Sequence, residues 1–230
     1  PADLIDTALG GMIGKLKSDG EIKGRNGELT VIHTPVAAKS DLAAKRVLVA
    51  GLGKEEKLTL DGLRTVSAGA LRRLRSLGAS DVAIALPGAG KDRLDAEDAA
   101  EAVIEGATLG LYRFDRYMSK SDEDDDESGI SSIVIVDPDS SIKSALETGL
   151  KNGRIYADAS LQARDLVNEP PNAMTPTDLA SAAERAAADS DGLTCTVLER
   201  ADMEKMGMGS FLGVAQGSHE PPKLIRLEYA

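Results

Sequence analysis

Apolar residues recur at three- and four-residue steps from the start of the chain. Leu4, Ile5, Ala8, Leu9, Met12, Ile13 and Leu16 share one face of a helix expected over residues 2–17, which Ser18-Asp19-Gly20 stops. Strand patterns follow at residues 29–33 and 46–50. The second is an unbroken apolar run, which predicts burial on both faces, and Gly51-Leu52-Gly53 ends it. Leu60, Leu63, Val66, Ala70, Leu74 and Leu77 give the next helix, closed by Gly78. A strand at residues 81–86 runs into Pro87-Gly88. A helix is expected over residues 95–117, capped by Asp95, with Ala99, Val103, Ile104, Ala107, Leu111 and Phe114 inward.

After a strand at residues 130–136, Asp137 as cap and Pro138 in the first turn open a long helix that runs toward Val167. Asn168-Glu169-Pro170-Pro171-Asn172 must break it, because paired prolines remove donors and force extended backbone. Thr175 caps another helix, with Asp178 in the capping-box position. Residues 193–198 and 223–229 read as strands and residues 201–206 as a short helix. Alternating strands and helices make the class α/β. The expected layout is an N-terminal α/β domain over residues 1–137, a connecting helix over 138–168, and an incomplete second α/β domain over 169–230.

Composition narrows the chemistry. Hydrophobic residues are 42% of 230, but there are two Phe, four Tyr and no Trp, so the core must be built from Ala, Val, Leu and Ile. Scarce aromatics also argue against a base-stacking surface. The net charge of −11 repels phosphate backbones, and nucleic acid is not an expected partner. The block from Asp122 to Glu127 reads as an exposed loop, since six adjacent carboxylates repel one another and lack the spacing of a calcium loop. Arg72, Arg73 and Arg75 form the only tight basic cluster and are expected on a solvated helix face. The single cysteine, Cys195, excludes an intrachain disulfide and reads as a buried, inert strand residue. No apolar run approaches the roughly 20 residues needed to span a membrane, and no signal peptide is visible, so the expected location is cytoplasmic. The chain begins at Pro1, not Met, which points to a natural N-terminus upstream.

Tested motifs mostly fail. Gly51-Leu52-Gly53 follows a strand, but Glu56 stands where a dinucleotide fingerprint needs its third glycine. Gly90-Lys91 suggests a phosphate loop, but Ala85 and Asp92 occupy its defining positions. His33 and His219 sit in no metal-ligand pattern. Gly207-Met208-Gly209-Ser210-Phe211 is not a nucleophile elbow. From the residues alone no catalytic, cofactor-binding or metal-ligating residue is assigned.

The stretch from Ala163 to Pro176, Ala-Arg-Asp-Leu-Val-Asn-Glu-Pro-Pro-Asn-Ala-Met-Thr-Pro, resembles the leucine aminopeptidase family, the cytosolic dinuclear-metal aminopeptidases. A second block, Gly207 to Pro222, is similar to the same family at the matching place downstream. The resemblance implies that residues before about 140 form a macro-type mixed sheet with flanking helices, lacking its first strand. It implies a homo-hexameric hydrolase of peptide N-termini with two divalent ions, zinc or manganese, in the C-terminal domain. The family's metal-ligand segments, of the types Gly-Lys-Gly…Phe-Asp-Ser-Gly-Gly and Asn-Thr-Asp-Ala-Glu-Gly-Arg, do not occur here. They are expected beyond Ala230, and Lys223 and Glu228 do not match them. The chain alone is therefore expected to be inactive, and the region after Pro170 poorly stable by itself. The alternative reading is a non-catalytic macro-like module, binding a nucleotide-like ligand at Gly51-Leu52-Gly53 and Gly88-Ala89-Gly90 or serving oligomer assembly.

Overall fold

The structure is a computed structural model that describes residues 2–34, 42–86, 94–119 and 129–230. The acidic block and the Gly88-Ala89-Gly90 turn lie outside the described residues. The chain divides into two compact units, Pro1–Leu161 and Gln162–Ala230.

In chain order the elements are α1 (Ala2–Ala8), α2 (Met12–Ser18), β1 (Leu29–His33), β2 (Arg46–Ala50), α3 (Leu60–Ser76), β3 (Asp81–Ala85), α4 (Ala96–Leu111), β4 (Ser132–Val136) and α5 (Lys143–Asn168). They are followed by α6 (Pro176–Ala188), β5 (Leu193–Leu198), α7 (Arg200–Lys205), α8 (Gly209–Val214) and β6 (Leu224–Tyr229). The class is the mixed α/β expected. The strands at residues 29–33, 46–50 and 193–198 fall where the pattern puts them.

Several local expectations are corrected. The first helix is two helices. Gly10 and Gly11 take φ of 68° and 80°, a left-handed geometry that breaks the ladder without shifting the apolar face. Asp6 then accepts from the Ile13 and Gly14 amides at 2.7 and 3.1 Å and so holds the start of α2. The helix from residue 95 stops at Leu111 and does not reach residue 117. Tyr112 is extended (ψ 133°), and the Arg75 guanidinium donates to the Leu111 carbonyl at 2.8 Å. Arg75 is thus half-buried, while Arg72 and Arg73 are exposed as expected. β4 begins at Ser132, not at residue 130. Asp137 does not cap the long helix: Asp139 caps a single turn of tighter helix, Ser140–Ile142, that leads into α5. The helix α8 falls in a glycine-rich stretch that the apolar pattern left unassigned.

β1 and β2 pair antiparallel, and β3 and β4 pair parallel through α4, as a strand–helix–strand crossover requires. Leu29, Leu48, Val82 and Ile133 pack on Ala70, Leu71 and Ala107 of α3 and α4. Ile32, Val47 and Val49 turn to the other side, against Leu9 and the α1–α2 pair. β2 therefore has apolar neighbours on both faces, though each of its residues is only half-buried.

The centre of the unit is α4. Ala99, Ala100, Ala102 and Ala107 have no exposed surface. Its neighbours approach backbone to backbone. A Cβ at Gly106 would collide with the Arg64 carbonyl of α3, and one at Gly110 would lie 2.5 Å from the Ala68 Cα. On the other side, Gly149 of α5 meets the Glu97 carbonyl. A Cβ at Gly153 would lie 2.5 Å from the Glu101 carbonyl and from Ile104 Cγ2. Arg64, ion-paired to Glu105 and 3.8 Å from Glu101, closes the α3–α4 seam at its edge.

In the second unit, β5 and β6 pair antiparallel and α6 packs on both. Thr175 and Asp178 form the reciprocal capping box, with Pro176 in the first turn. The Thr175 hydroxyl and amide both donate to the Asp178 carboxylate, which holds its pKa below the usual aspartate value. Met203 is fully buried.

Gly→Ala in a helix normally stabilises, because alanine has less backbone entropy to lose. The seam inverts that sign: Gly149→Ala and Gly153→Ala each destabilise by about 1–3 kcal/mol through overpacking. Gly69→Ala in α3 is the control. Its added carbon meets only Leu29 Cδ1 at 3.9 Å, and it stabilises by about 0.5–1 kcal/mol. Urea unfolding of the three variants checks both signs.

The capping box gives a pH dependence. The folded pKa of Asp178 is lowered, so its contribution is present above the unfolded pKa and is lost as pH falls through the folded one. The gap in unfolding midpoint between wild type and Asp178→Ala is therefore open at pH 6 and closes on acidification below the usual aspartate range. A gap that stays constant across that titration contradicts this role.

Candidate functional site

The described cavity with mixed chemistry lies in the first unit, between α4, α5 and the entry to β4, and holds about 330 Å³. That is the lower end of the size range for small-ligand sites. Its position follows from the helix ends. α4 stops at Leu111 because Arg75 takes the terminal carbonyl, so the chain leaves before covering the start of β4. Ile104 and Leu111 from α4, Ile133 from β4 and Leu161 from α5 make the apolar walls. Thr108, Tyr112, Ser131, Ser132 and Arg154 bring the polar atoms.

Those polar groups differ in what they still offer. Ser132 Oγ donates to Asp81 Oδ1 at 2.6 Å, and Ser131 Oγ accepts from Ser80 Oγ at 3.2 Å. Arg154 Nε is bonded to Asp158 Oδ2 at 2.7 Å, one turn along α5. The Arg154 Nη groups and the Thr108 hydroxyl make no hydrogen bond among the described residues. The lining contains one guanidinium and no carboxylate. The sequence did not single out this site.

The features the sequence did single out do not converge. His33 closes β1, His219 lies in the loop before β6, and both are exposed. Cys195 is half-buried in β5, not buried. Lys223 pairs with Glu199, and Arg226 with Glu228 at 2.6 Å. The Gly51-Leu52-Gly53 turn has spent the relevant amides on its neighbour. Gly51 N–H donates to the Glu28 carbonyl at 2.7 Å and Gly53 N–H to the Gly24 carbonyl at 2.9 Å. A Cβ at Gly51 would strike the Arg25 carbonyl. The Glu28 carboxylate in turn accepts from the Lys23 and Arg25 amides, which holds its pKa below the usual range. These glycines seat a loop; their amides do not face a phosphate. Among the described residues no group of three His, Cys, Asp or Glu could hold a metal ion. No described helix is long and apolar enough to cross a membrane.

The two blocks that carry the sequence resemblance both map to the second unit or its entry. Residues 163–176 form the end of α5, a turn in which the Ala173 and Met174 amides donate to the Pro170 carbonyl, and the start of α6. Residues 207–222 form α8 and the loop into β6.

Comparison with known proteins agrees with these blocks. The N-terminal domain of the cytosol aminopeptidase family matches residues 1–121, and the catalytic domain of that family matches residues 161–230. A probable cytosol aminopeptidase of Alkaliphilus metalliredigens is 39% identical over 225 residues, covering 98% of this chain and 44% of that protein. A cytosol aminopeptidase of Pseudomonas aeruginosa is 35% identical over 228 residues, covering 99% of this chain and 44% of that protein. Among solved structures, the bottromycin maturation enzyme BotP in complex with Mn superposes with a TM-score of 0.75 at 29% identity, covering 94% of this chain and 42% of BotP. A tomato leucine aminopeptidase mutant gives a TM-score of 0.77 at 25% identity, covering 97% and 42%. The chain thus spans less than half the length of the relatives it matches. Two domain models matched in order over most of its residues place the chain in the cytosol aminopeptidase family.

Proposed function

We propose that this chain is part of a metal-dependent aminopeptidase that hydrolyses N-terminal residues from peptides, with residues 1–230 as framework and without the metal centre. The carrying observation is the pair of family domain matches, N-terminal then catalytic, in one chain. We keep residues 1–137 as a macro-like domain, 138–168 as the connecting helix and 169–230 as the beginning of the catalytic domain. A homo-hexamer in the cytoplasm, with two zinc or manganese ions, completes the reading.

A pair of divalent ions would generate hydroxide near neutral pH and polarise the scissile carbonyl. The described residues do not fit such a pair, since no three potential ligands gather. No catalytic step is assigned to them. Their part is to hold the entry to the second unit. The capping box at Thr175 and Asp178 fixes the start of α6, and the Glu199–Lys223 pair ties the start of α7 to the residue before β6.

The test is an assay on a leucyl amide with manganese or zinc, run on the 230-residue chain and on a full-length protein containing it. The expected result is chelator-sensitive release of leucine by the full-length protein and none by the chain. Chelator-sensitive turnover by the chain alone overturns the placement of the metal centre. A full-length protein inert with both metals overturns the activity.

A further inference from the structure

We propose that Asn26-Gly27 is a site of self-modification: the Gly27 nitrogen closes onto the Asn26 side chain with loss of ammonia, at a rate set by how often residues 24–28 leave the Gly51-Leu52-Gly53 turn. The inference does not rest on the aminopeptidase reading. Water is the only other reactant. The Gly27 amide gives up its proton and its nitrogen attacks Asn26 Cγ. The bond from Cγ to the side-chain nitrogen breaks, and ammonia carries the proton away. Water then opens the cyclic imide at either carbonyl, leaving aspartate or isoaspartate at position 26.

Asparagine is a thermally labile residue, and a following glycine hinders the ring closure least, having no side chain. The pair occurs twice, at Asn26-Gly27 and Asn152-Gly153, and the fold treats the two in opposite ways. Asn152 is half-buried inside α5. Closure needs a ψ outside the helical range, and Gly153 is wedged against α4, where a Cβ would lie 2.5 Å from the Glu101 carbonyl. Asn26 is exposed. With Gly27, whose φ is 78°, it forms the middle of a turn closed by the Glu28 amide on the Arg25 carbonyl at 2.9 Å. What restrains this pair is a bond to the attacking atom. Gly27 N–H donates to the Gly51 carbonyl at 2.9 Å, and Gly53 N–H to the Gly24 carbonyl at 2.9 Å. The Glu28 carboxylate tightens the loop from within, accepting from the Lys23 amide at 3.1 Å and the Arg25 amide at 2.9 Å. A nitrogen whose proton is held in such a bond attacks poorly, so the Gly51 carbonyl holds the reaction back. A few hydrogen bonds on an exposed loop open far more readily than a buried helix seam. The isoaspartyl product has one more carbon in its main chain. Its Gly27 amide no longer meets the Gly51 carbonyl in register, so the loop that has converted does not reseat.

The experiment incubates the 230-residue chain in mildly alkaline buffer, folded and in guanidinium chloride, and follows both asparagines by peptide mapping with mass spectrometry. In the folded chain Asn26 is expected to convert at least about tenfold faster than Asn152. In guanidinium the two rates should agree within about threefold, and Asn26 should convert faster than it does in the folded chain. Glu28→Gln keeps the size of the side chain but leaves one accepting oxygen for two amides. It should raise the folded-state ratio of the Asn26 rate to the Asn152 rate about threefold. Hydrogen exchange on the isoaspartyl product should find the Gly27 amide unprotected. Equal folded rates at the two sites, or Asn152 converting first, overturn the proposal. So does an Asn26 rate that is the same folded and unfolded, an unchanged ratio in Glu28→Gln, or an isoaspartyl product whose Gly27 amide stays protected.

Discussion

The middle of the first unit is held by the close approach of three helices, α3, α4 and α5. A chain with no Trp and two Phe cannot fill interhelical space with large rings. It gains contact by removing side chains instead. Gly106 and Gly110 let α4 lie on the α3 backbone, and Gly149 and Gly153 let α5 lie on α4. Each glycine costs up to about 1 kcal/mol of helix propensity relative to alanine. The return is dispersion contact along two whole helix faces, summed over many weak atom pairs. Because the contacts are backbone to backbone, they fix the axes of the helices more tightly than flexible side chains would. The parallel strands beneath α4 and the groove beside it take their places from that seam.

The groove follows from where α4 ends. The Arg75 guanidinium satisfies the terminal carbonyl, so the helix has no need of a further turn. Beyond it Tyr112 is extended, and the helix does not continue to residue 117. Ile133 and the α5 residues Arg154 and Leu161 are left facing one another across open space. The same arginine belongs to a cluster that reads as solvated helix surface. Two of its three members are that, and the third is a cap reached across two elements.

What was legible depended on range. β1, β2 and β5 were readable because each is a short run of apolar and β-branched residues within two positions of a glycine, Gly27, Gly51 and Gly192. The break at Gly10-Gly11 was not readable from periodicity, since Leu9, Met12, Ile13 and Leu16 stay in phase across it and pack together against Ile32. The early stop of α4 was hidden likewise: Leu111 and Phe114 keep the helical step, and the decisive partner, Arg75, lies 36 residues away. The groove was out of reach for the same reason. Thr108 and Arg154 sit on different helices, and no local spacing links them. The residues that place the chain in its family are of another kind, a contiguous run from Ala163 to Pro176 whose turn and capping box are local.

The acids of this chain have a part in ordering its backbone. Of the 38 carboxylates, several of the described ones are engaged one at a time with backbone amides or cations. Asp6, Glu28, Asp95, Asp139 and Asp178 each accept from one or more main-chain N–H groups. Glu101, Glu105, Glu199 and Glu228 face guanidinium or ammonium groups. A metal centre needs the opposite arrangement, several carboxylates held together against their mutual repulsion until a cation relieves it. Carboxylates spent singly on helix starts and loop amides order the backbone at once, in water, with no cation required. In this chain carboxylates hold the starts of α2, α4 and α6, and the glycine seam sets how α3, α4 and α5 lie.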